Sequence, residues 1–127
     1  NGNLEEAKLS MKSLISNVPY SNKKLASMDM EERYRLIIST ILNAIGCQVE
    51  VEHMLSTGRI DIVASTSRFI YVMELKLTNN GGLNTAKKQI IDNGYLKPFL
   101  ADARKIIGLA VELDDMGKGL IDWKEVK

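Results

Sequence analysis

The stretch that decides the fold is "GRIDIVASTSRFIYVMELKL", residues 58 to 77. Its two apolar runs are separated by the short turn "TSR", which predicts two strands joined as a hairpin. Three charged residues, Asp61, Glu74 and Lys76, interrupt these runs. Charges in such positions cost stability unless something pairs with them or coordinates them. They therefore form either a catalytic site or an internal salt bridge.

Two helices are predicted before this hairpin. Residues 3 to 17 place apolar side chains at helical spacing, and residues 27 to 46 repeat that spacing behind a cap at Ser27 or Asp29. Gly46 ends the second helix, because glycine readily adopts the left-handed conformation that closes helices. Beyond Gly46 the apolar residues change from helical to strand spacing.

The remaining elements complete an α/β pattern. A strand at 47–55, "CQVEVEHML", precedes the hairpin, so three strands form a meander. Residues 84 to 100 predict a third helix, capped by Asn84 or Thr85. Two more strands follow: "KIIGLAVEL" at 105–113, apolar enough for the middle of a sheet, and "GLIDWKEVK" at 119–127, at an edge. We expect the order α-α-β-β-β-α-β-β, with a mixed sheet of about five strands flanked by helices.

Length and composition limit the function. The 127 residues fit a single domain, with an N-terminal helical segment at 1–26 and a core at 27–127. With 17 basic and 16 acidic residues the net charge is +1, so nucleic acid could be attracted only by a local patch. The single cysteine, Cys47, excludes an internal disulfide and a cysteine zinc cluster. No apolar run could span a membrane, which predicts a cytoplasmic protein without a membrane partner.

Strand geometry brings the three charges together. Alternation places Glu74 and Lys76 on one face of their strand, and counting outward from the turn brings Asp61 close to Glu74. Two adjacent carboxylates repel unless a cation lies between them, and hard oxygen ligands suit Mg²⁺ or Mn²⁺. Such an ion with a nearby lysine is sufficient equipment for phosphodiester hydrolysis.

Two other interpretations of these charges stay open. Glu74 and Lys76 could be alternating polar residues on a solvated sheet face, with Asp61 an acid close to a turn. The three residues could also form a buried ion network with a purely structural role.

"GRID" followed by "YVMELKL" resembles the signature of the PD-(D/E)xK phosphodiesterase superfamily, which has the restriction-endonuclease-like fold. More narrowly, the chain resembles the C-terminal nuclease-like domain of uncharacterised bacterial AAA-ATPase-like proteins. The resemblance extends over the whole chain, through "EERY" at 31–34, "QI…GY" at 89–95 and the closing "IIGLAVEL…IDWKEV". Ile60 stands where the signature has its proline.

The resemblance implies a metal-dependent nuclease that acts on nucleic acid, with Mg²⁺ or Mn²⁺ as cofactor. DNA is the expected substrate. Asp61, Glu74 and the backbone carbonyl of Leu75 would bind the metal, and Lys76 would be the catalytic lysine. Glu31 matches an acid that the superfamily often supplies from its first core helix, although an acid there could equally serve the helix dipole. Glu52 is a further candidate ligand, and a solvated strand face is its alternative.

Four residues are candidates for substrate binding: Gln89, Lys87, Lys88 and Tyr95. The superfamily often has a glutamine where Gln89 stands, yet a glutamine within a helix is usually only solvated. Tyr95 could stack on a base, whereas an aromatic residue beside Leu96 is more often part of a core. Arg59 could pair with Asp61 or contact DNA.

The alternative function is a non-catalytic module that contacts nucleic acid or a protein on behalf of an AAA-type ATPase domain. The chain begins at Asn1 without an initiator methionine, which suggests a fragment of a longer protein. We expect an N-terminal ATPase-like domain in that protein. A homodimer or the missing domain could supply the surface that a duplex needs.

Overall fold

The structure is a computed structural model, and residues 3–16 and 29–126 are described, with side chains from Ala7 onward. Three helices and five strands follow in the predicted order: α1 Asn3–Ser16, α2 Met30–Ala44, β1 Gln48–Leu55, β2 Gly58–Ser65, β3 Phe69–Leu77, α3 Gly82–Asp92, β4 Lys105–Leu113 and β5 Leu120–Val126. The expectation of an α/β fold is confirmed. The predicted cap Ser27 lies outside the described residues.

The five strands form one mixed sheet in the order β1-β2-β3-β4-β5. The strands β1, β2 and β3 are the predicted antiparallel meander, with Ser65 opposite Ile70 at the turn. Strand β4 runs parallel to β3, since α3 carries the chain back across one face of the sheet. Strand β5 is antiparallel to β4 and lies at the edge.

A hydrophobic core lies on each face of the sheet. The face covered by α1 and α2 buries side chains such as Tyr34, Ile38 and Leu75. The face covered by α3 buries a smaller cluster that includes Ile90 and Val72. Glu74 alternates with these apolar residues in β3 and is buried among them, as the low exposure of its side chain shows.

Both ladders of β2 are interrupted near Asp61. The β1–β2 ladder skips one pair, Glu52 opposite Asp61. The β2–β3 ladder ends one residue short of Asp61, at Ile62 opposite Met73. Ile60 and Ile62 pack in the cores on opposite faces, so the regular alternation of β2 is lost between them. The residues of the skipped pair, Glu52 and Asp61, both line a cavity.

The helix predicted at 84–100 is wrong at both ends. Helix α3 begins at Gly82 behind the N-cap Gly81, not behind Asn84 or Thr85. The reason is a tertiary contact, since the Leu83 N–H donates a hydrogen bond of 3.1 Å to Glu112 Oε1 on β4. At the other end Gly94, at a φ of 61°, lies just beyond the C-cap Asn93 and ends the helix.

Helix α2 begins as predicted, because Asp29 accepts a hydrogen bond of 2.8 Å from the Glu32 N–H. None of the helices in the described part of the chain is long and apolar enough to cross a membrane.

Candidate active site

Asp61 is held by the backbone of β3. Its Oδ2 accepts a hydrogen bond of 2.8 Å from the Leu75 N–H, and only 9% of the residue is exposed. Burial raises the pKa of Asp61, while the Leu75 N–H and the charge of Arg35 oppose that rise. The N–H and C=O of one strand residue point to the same side of the strand. The Leu75 carbonyl is therefore directed, like the Leu75 N–H, to the side where Asp61 lies.

Glu74 is the most perturbed acid of the described residues. It is 5% exposed, and its Oε1 is fully buried with no hydrogen-bond partner among them. The pKa of Glu74 is raised to about 8, mainly by burial and then by the neighbouring Asp61, while Lys76 opposes the rise. A buried acceptor without a donor is costly in a folded protein, and such exceptions are concentrated at functional sites.

The pair Asp61 and Glu74 fits a hard divalent cation. Burial and then the neighbouring Asp61 raise the pKa of Glu74, so a positive charge between the two carboxylates would be favourable, and the unpartnered oxygen of Glu74 offers it a ligand. No group of three or more His, Cys, Asp or Glu side chains suited to a metal occurs within 3–16 and 29–126. Mg²⁺ tolerates this, since it is often bound by one or two carboxylates and keeps several waters.

Lys76 lines the same cavity as the two acids. Its charge opposes the rise in pKa of both Asp61 and Glu74. The ion pairs found among the described residues include none between Lys76 and either carboxylate. The ammonium group therefore lies near the acids without neutralising them directly.

Glu31 reaches the cavity from the first turn of α2. Its Oε1 accepts a hydrogen bond of 3.0 Å from Asn80 Nδ2, in the turn after β3. The charge of Glu31 contributes to the raised pKa of Asp61, which shows that the two acids share one environment.

Glu52 also lines the cavity, but its carboxylate forms ion pairs with two arginines. Its Oε1 lies 2.6 Å from Arg35 and its Oε2 lies 3.8 Å from Arg59. Of the two alternatives for Arg59, a pair with Asp61 is not the one found, because Arg59 pairs with Glu52 across the β1–β2 ladder. Glu52 has a φ of 54°, the one positive value at a non-glycine residue in the described ranges. Such a conformation costs about 1–2 kcal/mol.

Sequence reasoning missed Arg35. Its side chain is 16% exposed and lines the cavity beside Glu52. One signal was available, because Arg35 follows Glu31 by four residues and thus lies on the same face of α2. Its partner could not be read from the sequence, since Glu52 belongs to a different element.

The four candidates for substrate binding separate in the structure. Gln89 lines the cavity, and its Oε1 is buried without a hydrogen-bond partner in the part of the chain described. Lys87 and Lys88 are exposed on α3 and do not line it. Tyr95 is 3% exposed and belongs to the core under α3. It also lines the cavity, but its hydroxyl donates to the Arg59 carbonyl at 3.1 Å and its low exposure leaves little ring surface for stacking.

The family model described as the PD-(D/E)XK nuclease superfamily matches residues 29–123, which is most of the chain. The chain belongs to the PD-(D/E)XK nuclease superfamily. Searches of curated proteins and of solved structures found no match. The match begins at the cap of α2 and ends in β5, so α1 lies outside it.

For this PD-(D/E)XK nuclease superfamily member the cavity has a volume of about 700 Å³. Most of its lining side chains are charged or polar. They are, in chain order, Asp29, Glu31, Glu32, Arg35, Glu52, Arg59, Asp61, Glu74, Lys76, Asn80 and Gln89. Asp61, Glu74 and Lys76 follow one another in the order of acid, acid and lysine that names the superfamily. A cavity of this kind can bind a cation and an anionic substrate side by side.

Proposed function

We propose that this chain hydrolyses phosphodiester bonds in nucleic acid, that DNA is its substrate, and that Mg²⁺ or Mn²⁺ is its cofactor. One observation carries the proposal beyond membership of the superfamily. Glu74 Oε1 is buried and has no hydrogen-bond partner among the described residues, and it belongs to an acid whose pKa is raised first by burial and then by Asp61. A divalent cation would resolve both features.

Asp61, Glu74 and the carbonyl of Leu75 would hold the metal. When bound, the ion supplies positive charge that polarises a phosphate and lowers the pKa of a water molecule. The chain prepares the site by fixing Asp61 through the Leu75 N–H at 2.8 Å. Glu31 is proposed as a further metal ligand, and its contribution to the raised pKa of Asp61 supports this role.

Lys76 and Gln89 would act on the substrate side. We propose that the Lys76 ammonium orients the attacking water and stabilises the charge that develops on it. This role is supported by the proximity of Lys76 to both acids without a direct ion pair. The unpartnered Gln89 Oε1 can accept a hydrogen bond from the water, and its amide can donate to a phosphate oxygen.

Nuclease assays with exposed control variants test this function. The purified protein with Mn²⁺ should nick or degrade DNA, and Asp61→Ala, Glu74→Ala and Lys76→Ala should each lose about 10²-fold or more of that activity. Glu125→Ala and Lys124→Ala change exposed residues of β5 and serve as matched controls that keep it. Full activity in all three site variants would contradict the assignment.

A second candidate is the non-catalytic module attached to an ATPase domain. It is favoured by the absence of a third clustered metal-binding side chain within 3–16 and 29–126. Calorimetry with Mn²⁺ separates the two functions. The enzyme predicts a millimolar or tighter site that Glu74→Ala abolishes, whereas the module predicts no binding.

A further inference from the structure

Arg35, Glu52 and Arg59 form an ion-paired group, and the role we assign to it rests on the proposed function. Arg35 projects from α2, while Glu52 and Arg59 belong to the neighbouring strands β1 and β2. Their contacts are 2.6 Å between Arg35 and Glu52 and 3.8 Å between Arg59 and Glu52. All three residues line the cavity that contains Asp61 and Glu74.

The stability of these ion pairs does not explain the group. Glu52 is held in a left-handed conformation, at a φ of 54°, at a place where the ladder skips it. Its side chain is 41% exposed and that of Arg59 is 51% exposed, and ion pairs with such solvent access add little stability. The exposed Glu52–Arg59 pair therefore gains less than the usual cost of placing a residue other than glycine in the left-handed conformation. Strain of this kind is typical of functional sites.

The chemistry of the group fits a phosphate. Each guanidinium has five N–H donors in a planar fork, and the single carboxylate of Glu52 can satisfy only part of the ten donors that two arginines offer. The two guanidinium groups exceed the carboxylate by one positive charge. Every other charged residue that lines the cavity, apart from Lys76, is acidic. An anion that enters is therefore drawn to the arginines.

We propose that Arg35 and Arg59 bind a backbone phosphate of the nucleic acid beside the one that is cleaved, and that Glu52 is the positioning residue that holds both guanidinium groups. Arg35, 16% exposed, takes the inner place, and Arg59 takes the rim. This arrangement assigns Glu52 to substrate binding and not to the metal. The nucleic-acid strand would thus enter the cavity across the β1–β2 side of the sheet.

Binding without cleavage tests the proposal. Fluorescence polarisation follows a labelled 20-nucleotide DNA, as a single strand and as a duplex, in Ca²⁺ at several salt concentrations. Arg35→Gln and Arg59→Gln should each weaken binding about tenfold or more and lower the slope of log affinity against log salt by about 1. Arg68→Gln changes an exposed arginine at the β2–β3 turn outside the cavity, and it should change neither quantity beyond twofold.

Two further measurements separate phosphate binding from a structural role. Arg35→Lys keeps the charge but not the fork, so its affinity should fall between those of the native protein and Arg35→Gln, with the native salt slope. Calorimetric Mn²⁺ affinity should stay equal or rise in Arg35→Gln, because a positive charge near Asp61 is removed. Loss of Mn²⁺ binding in Arg35→Gln would assign the arginine to the architecture of the site and overturn the proposal.

Native binding and salt slope in Arg35→Gln and Arg59→Gln would also overturn it. The proposal would also be overturned if the native protein bound neither the single-stranded nor the duplex DNA. Failure of the nuclease assignment looks different, since the arginine variants would then lose DNA binding while the native protein with Mn²⁺ leaves DNA intact.

Discussion

Glu74 is the residue on which the two main interpretations of the site differ most. In a catalytic pair it is an acid strained by burial and by Asp61, and in a structural ion network it would be stabilised by Lys76. The raised pKa and the unpartnered oxygen support the former. Part of this site was predictable, because alternation and hairpin counting bring Asp61, Glu74 and Lys76 together.

Glu74→Gln should stabilise the metal-free protein at pH 8. The pKa of Glu74 rises from 4.5 to about 8 on folding, so the folded state binds its proton more tightly. The contribution of Glu74 to the free energy of unfolding is therefore complete below pH 4.5. It falls as the pH rises to about 8, by a few kcal/mol at most. Glutamine cannot ionise, so urea denaturation at pH 5 and pH 8 should show a flatter profile for the variant.

Glu125→Gln, at an exposed position of β5, is the control for that measurement and should keep the native profile. A Glu74→Gln protein that is less stable than the native protein at pH 8, by about 3–5 kcal/mol, would indicate a broken buried ion network instead.

The arginine group shows what residue patterns do not reveal. Arg35 lies on α2 and its partner Glu52 on β1, and nothing in either local pattern indicates that they meet. The left-handed conformation of Glu52 is equally invisible, because the residue that normally marks such a position is glycine. Contacts between elements determine both features.

At the level of elements, strands were easier to predict than the limits of α3. Apolar runs, alternating or continuous, identify β1 to β5, because the apolar side chains of these strands pack in the two cores. The start of α3 depends on Glu112, which belongs to β4 and accepts from the Leu83 N–H and from the Thr78 hydroxyl. A cap supplied from a distant strand leaves no local signal.

Removing that cap should loosen the helix that carries Gln89. Glu112→Ala leaves the Leu83 N–H and the Thr78 hydroxyl without their acceptor, and we expect a loss of about 1–2 kcal/mol in the free energy of unfolding. Glu112→Gln keeps an acceptor oxygen and should lose less than half of that. Urea denaturation measures both, and an alanine variant as stable as the native protein would show that the cap does not stabilise α3.

At the level of the whole molecule, α1 lies outside the span of the superfamily match yet packs on the core. Met11 and Ile15 are buried on the sheet face shared with α2, and Lys8 pairs with Asp122 of β5 at 2.9 Å. These contacts support the prediction that the N-terminal helix folds as part of the same domain. Leu9 and Leu14 of the same helix are more exposed, at 63% and 46%.

Ile15→Ala should therefore destabilise the protein by about 2–4 kcal/mol, because the substitution leaves a cavity in the core. Leu9→Ala, at a residue that is 63% exposed, is the matched control and should change stability by less than about 0.5 kcal/mol. Equal stability of the two variants in urea would place α1 outside the cooperative unit.

The metal position tests the central claim most directly. Crystals soaked in millimolar Mn²⁺ can be measured at a wavelength where the anomalous signal of manganese locates the ion. We predict a peak in contact with carboxylate oxygens of both Asp61 and Glu74, and no such peak in Glu74→Ala. A native crystal without a peak at these two residues, or with Lys76 paired directly to Glu74, would contradict a metal-dependent nuclease site.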